Sequence, residues 1–233
     1  MKMIQRRFSA SLLVAMACLL WSFASTSAEL VEGRDWRALS SDAQATPEGT
    51  DIEVQEFFSY GCPHCADLNP LIKQWVENLP SDVRFERVPV TFGRAAWESL
   101  ARLYFALDFA GELESLDQAV FDAVTQRRTN LYSEKAVLNW IAEQDVDRDA
   151  FAKVYNSFAV EAALAKANTL AARYRINAVP MLIVDGRYVV LNEGARTHAD
   201  LLKIADGLIE KARQAHQGQA RQGQAQQGQT GQD

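Results

Sequence analysis

Residues 51–60, DIEVQEFFSY, leave neither side of an extended segment clearly polar, because Val54, Phe57 and Phe58 occupy both. That pattern predicts a strand covered on both faces of a sheet, bounded by a Pro47-Glu48-Gly49 turn and by Gly61. After Gly61 the apolar spacing becomes helical, through Leu68, Leu71, Ile72, Trp75, Val76 and Leu79. Pro63 suits the first turn of that helix, where a missing N–H costs nothing, whereas Pro70 should bend it. A second β-rich run, VRFERVPV (83–90), completes a strand–helix–strand unit and implies parallel pairing.

From about Thr91 to Tyr174 the pattern is almost continuously helical, in stretches with apolar residues at i, i+3 and i+4, punctuated by Gly93, Gly111 and Thr129-Asn130. This predicts a helical subdomain, at about 92–174, inserted between two halves of a sheet. Its stripes, with Trp97 and Trp140, serve its own core; Phe57, Phe58, Tyr60 and Trp75 are core positions of the sheet unit. In NAVPMLIVDGRYVVL (177–191) two β-rich runs flank Asp185-Gly186, a hairpin signal. Thr197 then caps a final amphipathic helix. From 214 to 233 Gln and Gly dominate and nothing apolar is larger than Ala, so the tail is expected to be disordered.

The first 28 residues read as an export signal: Lys2, Arg6 and Arg7, an apolar run from Leu12 to Phe23, then Ser27-Ala28. The run is shorter than the ~20 residues a membrane span needs. Residues 29–213 then form one α/β domain of ordinary composition, 48% hydrophobic. Losing three cations and no acid takes the net charge from −6 to about −9, which disfavours nucleic acid as a partner.

Export also removes Cys18 and leaves Cys62 and Cys65 as the only cysteines. In CPHC they could be a metal clamp, a staple or a redox centre. Two thiols so close enclose almost no loop, and loop closure gives a structural disulfide most of its effect in the entropy model. A structural zinc site normally needs four ligands, and beyond His64 only His198 and His216 remain as histidines. Outside the cytosol a disulfide can persist. Cys62 falls where a strand ends and a helix begins, so free amides and the helix dipole favour its thiolate. His64 adds positive charge or a hydrogen bond. Cys65 falls one turn inward. Glu56 is a carboxylate on a buried strand, costly unless paired or protonated.

The element order, β–α–β, helical insertion, β–β–α, resembles the thioredoxin arrangement. EFFSYGCPHC resembles the active-site strand and motif of the DsbA family, AVPMLIVDGRY its second signature, and LVEGRDWRALS the start of its mature chains. The likeness covers roughly residues 30–210. It implies a thioredoxin-like fold with an inserted α-helical subdomain, and a periplasmic dithiol oxidase that donates its Cys62–Cys65 disulfide to reduced, unfolded exported polypeptides. Cys62 carries the mixed disulfide. Pro63 and His64 complete the catalytic motif, and a stabilised thiolate makes the protein oxidising, DsbA proteins being the type case. Val179 and a cis Pro180 bind substrate backbone. Glu56 moves protons, with a basic partner on the next strand. Here that partner is Arg87 where DsbA can carry Lys, and an Arg that stays charged can pair but not shuttle. No organic cofactor or metal is implied, only the redox-active disulfide. The resemblance further implies reoxidation by a quinone-linked membrane protein of the DsbB type, and a monomer is expected. The alternatives are a disulfide isomerase or reductase, and a metal-handling or chaperone-like binding protein.

Overall fold

The computed structural model describes residues 29–44 and 51–230; the expected export signal and the expected turn at 47–49 lie outside them. Five strands form one mixed sheet in the order β1-β5-β4-β2-β3. They are β1 (Trp36–Ala38), β2 (Ile52–Phe58), β3 (Val83–Pro89), β4 (Met181–Val184) and β5 (Tyr188–Val190). β2 pairs parallel to β3 and antiparallel to β4, and β1 pairs antiparallel to β5. β1 and β3 are the edges. Helix α1 (Pro63–Val76) connects β2 to β3 and runs uninterrupted through Pro70. Helices α2 (Ala95–Ala110), α3 (Leu113–Phe121), α4 (Glu134–Ile141), α5 (Arg148–Tyr155) and α6 (Phe158–Arg173) form the insertion.

Strand alternation sorts the core into layers. Ile52 and Val54 of β2 pack with Leu68 and Ile72 of α1 and with Leu201, Leu208 and Ile209 of the last helix. Phe57 faces the opposite way, towards Ala167, Ala171 and Tyr174 at the end of the insertion. The sheet is therefore covered on both faces, and six of the seven residues of β2 are buried. Phe58, Tyr60, Cys62 and Cys65 join the core of the helical insertion itself. The cysteine motif thus stands on the seam between the two subdomains.

Two local details differ from expectation. β1 escapes a pattern-based reading because three residues are too few to show alternation. The tail, expected to be disordered from residue 214, instead continues α7 (His198–Thr230). Extending an existing helix adds a backbone bond per residue without a new nucleus, and Gln and Ala are good helix formers. Side-chain contacts hold the helix where the tail begins. Arg213 makes paired bonds to Asp82 at 2.7 and 3.0 Å, and His216 Nε2 lies 3.0 Å from the buried Asp185 carboxylate. Asp185 and Gly186 form the hairpin turn, both at positive φ (57° and 58°), where Gly is free of strain and Asp tolerates it.

Candidate active site

The chain leaves β2 at Phe58, turns at Ser59-Tyr60-Gly61 and enters α1 with Cys62 as its N-cap, φ −104° and ψ 115°. Gly61 suits the close packing at this turn. A Cβ there would sit 3.3 Å from Leu100 Cδ1 and from Trp97 Nε1, both on α2. Pro63 occupies the first turn, as its fixed φ and missing donor favour.

The two thiols are free and unequally placed. Cys65 is fully covered, whereas Cys62 retains 8% exposure. Cys65 is the inner of the two, as expected, and Cys62 is itself nearly covered. The loop ending in the cis Val179–Pro180 bond lies against it, and its thiol donates to the Val179 carbonyl at 3.4 Å.

The electrostatics are as unequal as the burial. The Cys62 thiol is brought down from 9.0 to about 6, first by the hydrogen bond from Cys65. Burial opposes this, and the backbone N–H groups of Cys65 and His64 and the His64 charge add to it. Burial pushes Cys65 strongly upward, and the neighbouring Cys62 and Glu56 add to that push. A helix N-terminus and an inner donor therefore make Cys62 the nucleophile and leaving group, while Cys65 holds its proton. His64 is an exposed contributor, not the leading one. Its ring lies 6.3 Å from that of His198, at the start of α7.

Beneath the thiols, β2 places Glu56 on the face that carries Ile52 and Val54, and parallel register puts Arg87 of β3 directly beside it. Arg87 Nε donates to Glu56 Oε2 at 2.7 Å, and the guanidinium stacks 3.9 Å above the Phe58 ring. Glu56 is completely buried, and burial raises its pKa against the pull of Arg87. Its Oε1 has no hydrogen-bond partner among the described residues.

Sequence reasoning missed Asp117. This α3 residue accepts from Tyr60 Oη at 2.8 Å, Asn69 Nδ2 at 2.9 Å and Arg87 Nη1 at 2.9 Å, and Lys73 Nζ lies 3.2 Å away. The signal was present. Leu113, Leu116, Asp117 and Val120 share one helical stripe, so a carboxylate sits where the pattern demands an apolar residue. Tyr60 and Asn69 were likewise hidden, one as an ordinary core aromatic and the other as an uncharged position within α1. Among the described residues no group of three or more His, Cys, Asp or Glu side chains is arranged to hold a metal.

Comparison with known proteins meets this geometry. A family model described as the DSBA-like thioredoxin domain matches residues 53–203. The chain is 37% identical over 201 residues to the thiol:disulfide interchange protein DsbA of Pseudomonas syringae pv. tomato, covering 86% of this chain and 93% of that protein. It is 38% identical over 164 residues to the protein of the same name from Bordetella parapertussis, 70% of this chain and 78% of that one. The crystal structure of Pseudomonas aeruginosa DsbA superposes with a TM-score of 0.75 at 35% identity, covering 81% of this chain and 97% of that chain.

Proposed function

The chain belongs to the DSBA-like thioredoxin domain family, and from that premise we propose that Cys62, Cys65, Glu56 and the Val179–Pro180 loop carry its thiol:disulfide chemistry. The protein is a disulfide-donating oxidoreductase of the dithiol oxidase type. In the oxidised enzyme a substrate thiolate attacks Cys62 of the Cys62–Cys65 disulfide. Its sulfur bonds to Cys62 Sγ while Cys65 leaves with the electron pair and takes up a proton. A second substrate thiolate then attacks the substrate sulfur and expels Cys62 as thiolate. Two substrate thiols become one disulfide, and the enzyme gains the two electrons.

The observation that carries this reading is the asymmetry of the pair. Cys62 sits at a helix N-terminus with its thiol brought down to about 6, whereas Cys65 is buried and held protonated. A low-pKa leaving group makes the second displacement fast and favours the reduced enzyme, so electrons flow from substrate to protein. Val179, whose carbonyl lies at Cys62, would bind an extended substrate through main-chain bonds, which are indifferent to its sequence. Glu56 would supply the proton that the departing Cys65 needs, with Arg87 as a fixed charge partner. The disulfide is its own redox group, with no organic cofactor or metal.

The partners are reduced, unfolded exported polypeptides and a DsbB-type, quinone-linked membrane protein that reoxidises the pair. The compartment is the periplasm, and the working unit is a monomer of 29–213 with its helical insertion. No helix among the described residues is long and apolar enough to cross a membrane. The test is oxidation of a reduced, unfolded protein by Cys62→Ser. Loss of disulfide formation is expected; retention of it would refute the mechanism.

A further inference from the structure

Two buried carboxylates share one guanidinium beneath the active site, and they are held very unequally. Asp117, 1% exposed, takes hydrogen bonds from Tyr60, Asn69 and Arg87 and has Lys73 beside it. Glu56, with no exposure at all, has only Arg87 Nε as a hydrogen-bond donor among the described residues. The second oxygen of Glu56, also buried, has no hydrogen-bond partner among the described residues. Arg87 gives Nε to Glu56 and Nη1 to Asp117, its Nη2 finds no hydrogen-bond partner among the described residues, and the guanidinium stacks on Phe58. A carboxylate with several donors is committed to its charge, whereas one with a single shared donor and a bare oxygen is not.

We propose that Asp117 is a positioning residue: by holding one arm of Arg87 and keeping a permanent negative charge nearby, it leaves Glu56 free to carry the proton exchanged with Cys65. This rests on the reading of Glu56 as the acid behind Cys65 and adds what sets its state. The inserted helical subdomain, which supplies Asp117, is thereby part of the proton chemistry of the thioredoxin half.

The charged and titratable groups around Glu56 act in consistent directions. Arg87 on β3 favours its ionised form. Asp117 on α3 opposes that form, and burial opposes it most. From α1, Cys65 couples to Glu56, and Lys73 reaches the network through Asp117. Tyr60, in the turn after β2, and Tyr104 on α2 are neutral, both pushed upward by burial. On the β4 side the register partner is Leu182, which brings no charge. For Asp117 burial acts upward but is overcome by Arg87, Asn69, Tyr60 and Lys73, which hold it below the usual carboxylate range. In the oxidised enzyme the chain of events is Glu56–COOH with the Cys65–Cys62 disulfide. Attack on Cys62 releases the Cys65 thiolate, which receives the Glu56 proton and leaves Glu56–COO⁻. With Asp117 neutralised, Arg87 would serve Glu56 alone, Glu56 would ionise earlier, and Cys65 would have to leave beside an existing negative charge.

The test reads Glu56 directly, by the protonated-carboxyl band in oxidised-minus-reduced infrared spectra, assigned by its loss in Glu56→Gln. Asp117→Asn should move the titration of that band down by about one pH unit. The pH profile for oxidation of a synthetic two-cysteine peptide should move down by the same unit, so that the rate falls up to about tenfold above the midpoint and recovers as the pH is lowered. Asp117→Glu should restore part of the rate. Lys73→Met, on the half-exposed rim of α1, should move the band the other way, to higher pH, and keeps the test alive if Asp117→Asn does not fold. An unmoved band in both variants, or a loss of rate equal at every pH, overturns the proposal. If Glu56→Gln itself leaves the rate and its pH profile unchanged, the Glu56 reading falls too; if Glu56→Gln alone alters them, only the role of Asp117 falls.

Discussion

Replacing Cys65 with Ala should raise the titration midpoint of Cys62 more than replacing His64 does. The thiol is displaced from 9.0 to about 6, and the leading cause is the hydrogen bond from Cys65 rather than the imidazole. Three pH units correspond to about 4 kcal/mol in favour of the thiolate, reduced by solvent screening at a sulfur that is not wholly enclosed. A hydrogen bond to a charged acceptor contributes about 1.5–3 kcal/mol, so losing the Cys65 donor should move the midpoint up by about 1–2 pH units. His64 is exposed, and its charge acts through water, so His64→Ala should move it by less than about one unit, with the backbone N–H of residue 64 retained. Cys65→Ser, which keeps an O–H donor, should fall between wild type and Cys65→Ala. Ultraviolet absorbance of the thiolate, followed against pH in each variant, measures all three midpoints. A larger shift in His64→Ala than in Cys65→Ala would refute the assignment of the inner thiol as the main stabiliser.

Two further outcomes follow from the same asymmetry. Run in reverse, with the Cys62 thiolate attacking a disulfide-bonded substrate, Cys65→Ser should trap the mixed disulfide that Cys65 would otherwise release, visible as reductant-sensitive adducts on non-reducing gels; their absence would show that Cys65 does not act on such adducts. The reduced protein should also lose stability as pH falls. A depressed folded-state pKa contributes stability that is complete above the unfolded thiol value of 9.0 and disappears as pH falls through about 6. Between pH 8 and pH 6 the loss is about 2 kcal/mol, read as the difference in urea unfolding between wild type and Cys62→Ser, both reduced. The window stays below the pH at which Cys65 of the unfolded chain would ionise and reverse the sign.

Much of the site was legible because its parts announce themselves locally. Cys62, Pro63, His64 and Cys65 are contiguous, and the strand and helix on either side fix the helix-start geometry. Glu56 was visible as an acid in an apolar run, and the parallel unit brought Arg87 opposite it. Asp117 was not read because its partners lie 30, 48 and 57 residues away and meet it only when the insertion folds back. The near-burial of Cys62 also depends on a distant segment, the loop carrying Val179, 117 residues on. The tail misled for the opposite reason. Its composition describes an isolated peptide, whereas here it extends a helix already anchored through Arg213 and His216.

The sheet ends in two different ways, and both matter for a protein whose proposed clients are unfolded chains. An open edge invites any extended stranger to pair with it. At one margin β1 offers only three residues, with Arg37 exposed in the middle. At the other, β3 carries the charged side chains of Arg84 and Glu86 and finishes at Pro89, which has no N–H to donate. Both margins are thus poor templates for adhesion. A client that zips along the scaffold would be lost to aggregation, whereas one that pairs at the backbone of Val179 arrives beside the sulfur of Cys62. The blunted borders make contact brief everywhere that contact has no chemical outcome.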